Sequence, residues 1–339
     1  MEILPRTLGT RPRLACEVRA EGVVAARAED ASAVLSAVAR VPLAEGIVVP
    51  RLSQSDAGVT VASPEGNSAA TGIVAGVGGG VAGRAAMVNA VRSALDAVVL
   101  RTRDVTLVVP DAAVRVLLLD FDELPAKPAE ALPVVRFRLK KLLPFDADDA
   151  AVSYQVMASS RGAIQVLAVA MPREVQTDYE SVVREAGFEP GAILPSTLAA
   201  LAGLEEGEMP MLVVNAGREG VTTAIVKAGV VLLHRTVDLG AMSGDSVTNP
   251  ANEVAQAVSV AAAYFEDTLE SAPALVLAAG PLGADALISV LDDANVGIGP
   301  VAVQEMVERQ MLGAGPASAG QAGGVPLGWL AGVRGALAN

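Results

Sequence analysis

The pattern of hydrophobic and polar positions predicts a three-strand unit that occurs twice in the chain. Each unit consists of short runs rich in β-branched and small apolar residues, separated by tight turns that contain glycine. The predicted strands lie at residues 14–18, 23–28 and 34–41 in the first unit, and at 212–214, 221–226 and 230–237 in the second. Two similar units about half a chain apart indicate a duplicated domain and not a solenoid of short repeats.

The segments between and after the two units alternate between helical and strand patterns. Apolar periodicity and the placement of proline and glycine predict helices at 85–101, 129–143, 173–186, 196–204, 249–269, 284–291 and 329–337. Further strands are predicted at 105–109, 114–121, 151–157, 164–170 and 274–278, with a short one near Ile193. This alternation indicates an α/β fold with mixed sheets. The acidic turn at 205–210 is the predicted domain boundary.

Composition limits the classes of function. A chain of 339 residues suits about two domains, and 52% hydrophobic residues can form a sizeable core. Aromatic residues make up only 3%, which disfavours stacking platforms for single-stranded nucleic acid. The net charge of −13 repels phosphate backbones and anionic lipid surfaces, so neither nucleic acid nor a membrane is expected as a direct partner.

Single copies of cysteine and histidine exclude several kinds of site. Cys16 is the only cysteine and His234 the only histidine, so an intramolecular disulfide and a zinc site of the Cys/His type are both excluded. A catalytic triad would need His234, which lies in a predicted strand without a nucleophile elbow nearby, and a structural role is favoured. The N-terminus lacks a signal-peptide pattern, and the uncharged stretch 68–83 is too weakly hydrophobic to span a bilayer, so we expect a cytoplasmic protein.

Three features admit both a structural and a functional interpretation. The glycine turn at 217–220 belongs either to an ordinary antiparallel sheet or to a phosphate cradle of backbone N–H groups and a threonine hydroxyl. The segment Gly78–Gly83 matches the dinucleotide-binding pattern G-x-G-x-x-G, but a flexible loop is favoured, because the preceding segment is glycine-rich and Asp111 is a late candidate for the acidic residue. The basic cluster Arg136, Arg138, Lys140 and Lys141 is either a solvated helix face or a docking patch.

Taken in order, several segments resemble the actin-like ATPase superfamily, and within it the PilM family of cytoplasmic type IV pilus assembly proteins. The resemblance rests on a helix with its "iPf" turn and following strand, an "aGl.p" step, a second phosphate hairpin, a strand that ends in "R…G", an adenosine loop and a closing "GLA.R" helix. These segments are 134–146 with 152–154, 184–190, 212–217 with Thr222, 231–240, 277–283 and 328–334. Cytoplasmic domains of GspL secretion proteins and the division protein FtsA are more distant relatives of the pattern.

The resemblance implies two duplicated actin-like domains of ribonuclease H-like topology. The first domain would span 1–204, with an inserted α+β subdomain at about 84–170. The second would span 205–339, with its C-terminal helix packed back on the first. A nucleotide would lie between paired hairpins and the adenosine loop, and the residues at these positions are Glu17, Arg19, Gly22, Asn215, Gly217, Thr222, Ala279, Gly280 and Gly283.

The cleft departs from the family pattern at residues that carry its chemistry. Glu17 replaces the first aspartate, Arg19 replaces a glycine, and Val24 replaces a lysine. Asn215 replaces the second aspartate, and loss of a carboxylate weakens a Mg²⁺ site. We therefore expect weak binding of ATP with Mg²⁺ or none, little or no hydrolysis, and neither a catalytic residue nor a resident metal. A nucleotide-binding switch or slow ATPase is the alternative, and a kinase or dehydrogenase is a third hypothesis.

The family's role implies a partner-binding scaffold. By resemblance, the chain would bind the cytoplasmic N-terminal peptide of PilN between the first domain and its insert, and would couple it to the pilus assembly motor and the inner-membrane platform. The candidate contacts are Arg138, Lys141 and Phe145. An extended peptide gains affinity by pairing with a sheet edge. Contact with the inner membrane would be peripheral and only through such partners.

Overall fold

The structure is a computed structural model that describes residues 12–30, 32–47, 49–52, 80–160, 162–205, 207–239, 249–297, 301–312 and 325–338. Most of the two glycine-rich segments, 58–83 and 312–324, lies outside these residues. Among the described helices, none is long and apolar enough to cross a membrane.

The described secondary structure follows the predicted alternation of strands and helices. The strands are β1 (Leu14–Arg19), β2 (Gly22–Ala28), β3 (Leu35–Pro42), β4 (Asp104–Val109), β5 (Arg115–Phe121), β6 (Ala150–Ser160), β7 (Ala163–Pro172), β8 (Glu189–Pro195), β9 (Met211–Ala216), β10 (Gly220–Lys227), β11 (Val230–Asp238), β12 (Val276–Ala279) and β13 (Val303–Glu305). The helices are α1 (Gly80–Asp96), α2 (Pro128–Leu139), α3 (Arg173–Glu185), α4 (Ser196–Ala202), α5 (Pro250–Leu269), α6 (Ala284–Asp293) and α7 (Ala331–Leu337).

Two five-stranded sheets share one topology. The first sheet has the order β3-β2-β1-β4-β8 and the second the order β11-β10-β9-β12-β13. In each, the opening three strands form an antiparallel meander, and the last two join it in parallel. Parallel strands need crossover connections, which several of the helices supply. This repetition confirms the predicted duplication and the α/β class.

A third sheet forms a subdomain inserted into the first half. Its order is β5-β7-β6, and α2 covers one face through the buried residues Val135 and Leu139. We predicted that the insert begins near residue 84, but α1 packs on the first sheet through Met87 and Val91, and β4 is a central strand of that sheet. The subdomain sheet therefore starts at Arg115. Since only a short turn separates β4 from β5, the sequence could not show that they enter different sheets.

The two halves share a central core. The helices α4 and α7 pack against each other, and the same apolar cluster contains Ala15 and Val24 of the first sheet together with Val213 and Ala224 of the second. The only tryptophan, Trp329, is 1% exposed in this cluster. On the outer faces, α1 and α3 cover the first sheet, and α5 and α6 cover the second. The C-terminal helix α7 also contacts β1, β2 and β4.

Candidate functional site

Polar residues converge where the strands of the two halves meet. Glu17 lies near the end of β1 and Asn215 near the end of β9, each at the last register position of its strand's parallel ladder with β4 or β12. They therefore occupy equivalent positions in the two sheets. Glu17 is 0% exposed and Asn215 3%. Ligands in open α/β sheets bind at the carboxyl ends of parallel strands, and this is the corresponding place in each half.

Arg19 connects the two halves at this point. Its Nε donates to Glu17 Oε1 at 2.6 Å, while Nη2 donates to Ser196 Oγ at 2.5 Å and to Asn215 Oδ1 at 2.7 Å. Ser196 Oγ in turn donates to Glu17 Oε1 at 2.6 Å. Arg19 is only 9% exposed. One guanidinium thus bonds to a side chain of the first sheet, to the start of α4 and to the second sheet.

A second branch of the cluster runs through Asp111. Its Oδ1 accepts the Thr197 backbone N–H at 3.1 Å, and its Oδ2 accepts the Thr197 hydroxyl at 2.5 Å. Asn215 Nδ2 donates to Thr197 Oγ1 at 2.9 Å and to Ser196 Oγ at 3.0 Å. The first turn of α4 is therefore held between a carboxylate of the first half and an amide of the second.

Two glycines bring the loops of the second half directly onto this cluster. A Cβ at Gly217 would lie 2.7 Å from Glu21 Oε1 and 3.4 Å from Arg19 Nη1. The next residue, Arg218, donates its backbone N–H to Glu21 Oε1. Gly280 has a φ of +84°, and a Cβ there would lie 2.5 Å from Asn215 Oδ1. Only glycine permits these approaches without displacing a neighbour.

The remaining candidate residues of the cleft have local roles. Gly22 has a φ of +149° and approaches the Val41 carbonyl of β3, where a Cβ would be 2.5 Å away. Thr222 Oγ1 lies 3.0 Å from Thr236 Oγ1 on the neighbouring strand. Ala279 is 2% exposed and pairs with Asn215. Gly283 precedes α6, whose first N–H, that of Ala284, donates to Glu305 Oε1 at 2.9 Å.

The space left beside Arg19 is small. A cavity of about 40 Å³ is bordered by Arg19, Glu21, Asp111, Asn215, Gly217 and Thr222, among others. Such a volume holds a few water molecules, whereas small-molecule sites usually measure about 300–1,000 Å³. Among the described residues, no group of three or more histidine, cysteine, aspartate or glutamate side chains could hold a metal ion. In this conformation the cavity beside Arg19 has no room for ATP with Mg²⁺.

The electrostatics keep Arg19 charged. Burial by itself disfavours the guanidinium, but attraction to Glu17, their hydrogen bond, and the charges of Glu21 and Asp111 outweigh it. The pKa of Arg19 is therefore raised above its ordinary value. The Glu17 carboxylate is thus paired with an internal cation.

The sequence analysis did not single out Ser196 or Thr197, and it named Asp111 only as a late candidate for the acidic residue of a dinucleotide-binding site. Asp111 follows the end of β4, and the Ser196–Thr197 pair follows the end of β8, both parallel strands of the first sheet. Polar residues directly after parallel strands would have been the signal. Of the segment that matches the dinucleotide-binding pattern, Gly78 and Gly79 lie outside the described residues, and Gly80 begins α1.

The basic cluster at the end of α2 presents two cations with no polar partner in the described part of the chain. Arg136 is engaged, since it donates to the carbonyls of Ala147 and Ala150, and Lys140 pairs with Asp148 at 2.5 Å. Arg138 and Lys141 are exposed, and neither has such a bond to a described residue. This division separates the structural cations of the cluster from those that are free to meet a partner.

The exposed apolar residues of this surface are not the one that the sequence predicted as a contact. Phe145 is half-buried and packs on the subdomain core. Phe137, by contrast, is 68% exposed, Leu142 is 49% and Val134 is 37% exposed. An exposed phenylalanine on a helix is unusual enough to mark an interaction surface when other apolar residues adjoin it. Phe137 therefore joins Arg138 and Lys141 as a candidate contact.

The same architecture occurs in a protein of known structure. No protein-family model matches the chain, and no curated protein matches its sequence. A chain of the "PilM-PilN type IV pilus biogenesis complex" superposes with a TM-score of 0.68 over 96% of this chain and 97% of that one, at 18% sequence identity. The chain has the actin-like fold of PilM. At this identity the match to PilM establishes the fold, and it confirms the predicted actin-like duplication.

Other solved structures are less similar to this chain. The cytoplasmic domain of EpsL, an inner-membrane component of the type II secretion system of Vibrio cholerae, gives a TM-score of 0.43 at 15% identity, covering 79% of this chain and 82% of that one. The ethanolamine utilization protein EutJ of Carboxydothermus hydrogenoformans gives 0.46 at 11% identity, covering 99% and 94%.

Proposed function

We propose that this chain is a cytoplasmic scaffold of type IV pilus assembly that binds the N-terminal peptide of an inner-membrane partner of the PilN type. It would couple that partner to the assembly motor and would lie at the inner membrane only through its partners. The observation that carries the proposal is the PilM fold over 96% of the chain, including the inserted subdomain. The solved relative is itself described as a complex of PilM with PilN.

The surface of the insert supports a peptide-binding role. Exposed Phe137 lies beside the cations Arg138 and Lys141, which have no polar partner among the described residues. In addition, β6, the strand that α2 contacts, is an edge strand of its sheet, so one side of its backbone is unpaired within that sheet. An extended peptide that pairs with an edge strand gains main-chain hydrogen bonds, while pockets and charges beside the edge supply specificity.

The test measures binding of a labelled peptide with the sequence of the PilN N-terminus from the same organism, by fluorescence anisotropy. We expect saturable binding with a Kd of roughly tens of micromolar or tighter, which corresponds to about −6 kcal/mol or more negative. Replacing Arg138 and Lys141 together by alanine is expected to weaken it several-fold. The matched control is Lys127→Ala, which removes an exposed cation at the other end of the same helix.

Two results would contradict the proposal. If the wild-type chain binds the peptide no better than a scrambled peptide at these concentrations, the scaffold role with this partner is wrong. If the peptide binds but Lys127→Ala weakens it as much as the double variant, the cations act by general charge and the α2 surface is not the contact.

A nucleotide switch on the same fold is the second candidate. The observation in its favour is that Gly217 and Gly280 directly follow the adjacent strands β9 and β12, which is the hairpin-and-loop layout of a phosphate cradle. Mg·ATP should then raise the thermal midpoint, because a ligand that binds only the folded state stabilises it. We propose that hydrolysis is absent, since two carboxylates of the cleft are already bonded, Glu17 to Arg19 and Asp111 to Thr197.

A further inference from the structure

We propose that the two halves of this chain are held closed by its own Arg19, which takes the place of a nucleotide and its cation between them. The guanidinium bonds at 2.6 Å to Glu17 in the first sheet and at 2.7 Å to Asn215 in the second. These two side chains occupy equivalent register positions of the duplicated strands β1 and β9. A ligand that joins two duplicated halves would have to contact this same pair.

The loops that would fold around a ligand instead close on the internal cation. Gly217 approaches Arg19 Nη1, and a Cβ there would be 3.4 Å from it. Gly280 approaches Asn215 from the other side. The hairpin of the first half reaches the turn of the second through the Glu21 carboxylate, which accepts the Arg218 backbone N–H. The cavity of about 40 Å³ beside Arg19 is too small for a nucleotide while the halves are in this position.

Arginine suits this role because of its shape and permanent charge. Its planar fork supplies several N–H donors in fixed directions, so one group can bond to Glu17, Ser196 and Asn215 together. A lysine at the same position carries one compact charge on a flexible stem and cannot reproduce this geometry. Closure therefore needs no ligand, and a cycle of nucleotide binding and release would not drive it. This inference rests on the actin-like fold and not on the identity of the pilus partner.

The test compares hydrogen–deuterium exchange at the turn 217–220 in the wild type, Arg19→Gly and Arg19→Lys, each with and without millimolar Mg·ATP. We expect the wild type to show the same exchange and the same thermal midpoint in both conditions. In Arg19→Gly, the turn should exchange at least about tenfold faster without nucleotide, because the bond network across the cleft is gone. Arg19→Lys should fall between the two. The control is Arg84→Lys, which alters a surface ion pair of α1 with Glu185.

Two outcomes would overturn the proposal. One is a wild type whose cleft is protected and whose thermal midpoint rises with Mg·ATP, because the nucleotide would then be the closing ligand. The other is unchanged exchange at 217–220 in the Arg19 variants, because the guanidinium would then not hold the halves. If Arg19→Gly does not fold, Arg19→Lys and Ser196→Ala carry the same comparison. Loss of peptide binding in the wild type would refute the scaffold role and leave this result standing.

Discussion

The buried charge pair of the cleft provides the sharpest test of its energetics. The change is Glu17→Gln, which keeps the size of the side chain and removes its charge. Glu17 is 0% exposed, and its Oε1 accepts both Arg19 Nε and the Ser196 hydroxyl at 2.6 Å. The variant therefore leaves a buried guanidinium without its main counter-charge, and Arg19 cannot lose its proton to avoid this.

The size of the effect follows from what remains around Arg19. Removing one partner of a buried ion pair costs about 3–5 kcal/mol of folding free energy, because the other charge stays desolvated. Glu21 and Asp111 also attract the guanidinium and offset part of the loss. We therefore expect a decrease of about 3 kcal/mol, at the lower end of that range. The double variant Glu17→Leu with Arg19→Met should recover part of this, since no unpaired charge is left.

The assay is urea unfolding followed by the fluorescence of Trp329, the only tryptophan, which is buried in the core shared by both halves. The control is Glu185→Gln, which removes the same charge from the exposed pair with Arg84, whose atoms are also 2.6 Å apart. Exposed pairs contribute about 0–1 kcal/mol, so this change should be small. If both variants lose the same stability, then burial does not govern the Glu17 pair and the reasoning is refuted.

Three further predictions rest on local geometry. Gly280→Ala should lower the free energy of unfolding more than Gly46→Ala does in the same assay. Both glycines have a φ near +85°, which costs an alanine about 1–2 kcal/mol, but of the two only Gly280 has an atom 2.5 Å from the new Cβ. Equal losses of stability would refute the contact. Burial lowers the pKa of His234, so the folding stability should fall as the pH drops below about 6.5, where the unfolded state binds the extra proton. His234→Gln should flatten this part of the plot of stability against pH, and an unchanged plot would contradict the prediction. Phe137→Ala should change stability by less than about 0.5 kcal/mol, because the side chain is 68% exposed, and a larger loss would mean that it packs within the chain.

Local pattern was sufficient for most elements of the fold. The strands of both meanders follow from β-branched runs and glycine turns, and their agreement gives the duplication. The helix α3 was clear from its proline start and from Gly187, which has a φ of +91° just past its end. The insert boundary was missed, since strand pairing across β4 and β5 depends on partners far away in sequence.

The candidate site was predicted only in part. Glu17, Arg19, Asn215 and Gly217 were named because of where they stand in the pattern, and the structure brings these residues together. Ser196, although it completes the cluster, carried no signal beyond its place after a strand. A hydroxyl at a helix start normally serves as an ordinary cap, and only the approach of β1 and β9 gives it three polar neighbours.

By itself, the sequence determined the strand and helix order and the duplicated units, because these depend on contacts and propensities within short segments. The unusual residues of the cleft came from its resemblance to the PilM family. Only the tertiary structure decided what those unusual residues do. Arg19 and Asn215 are 196 positions apart, and their hydrogen bond exists because two separate sheets place equivalent strand ends face to face. Whether a charged residue is exposed, paired or used to join two halves depends on that packing.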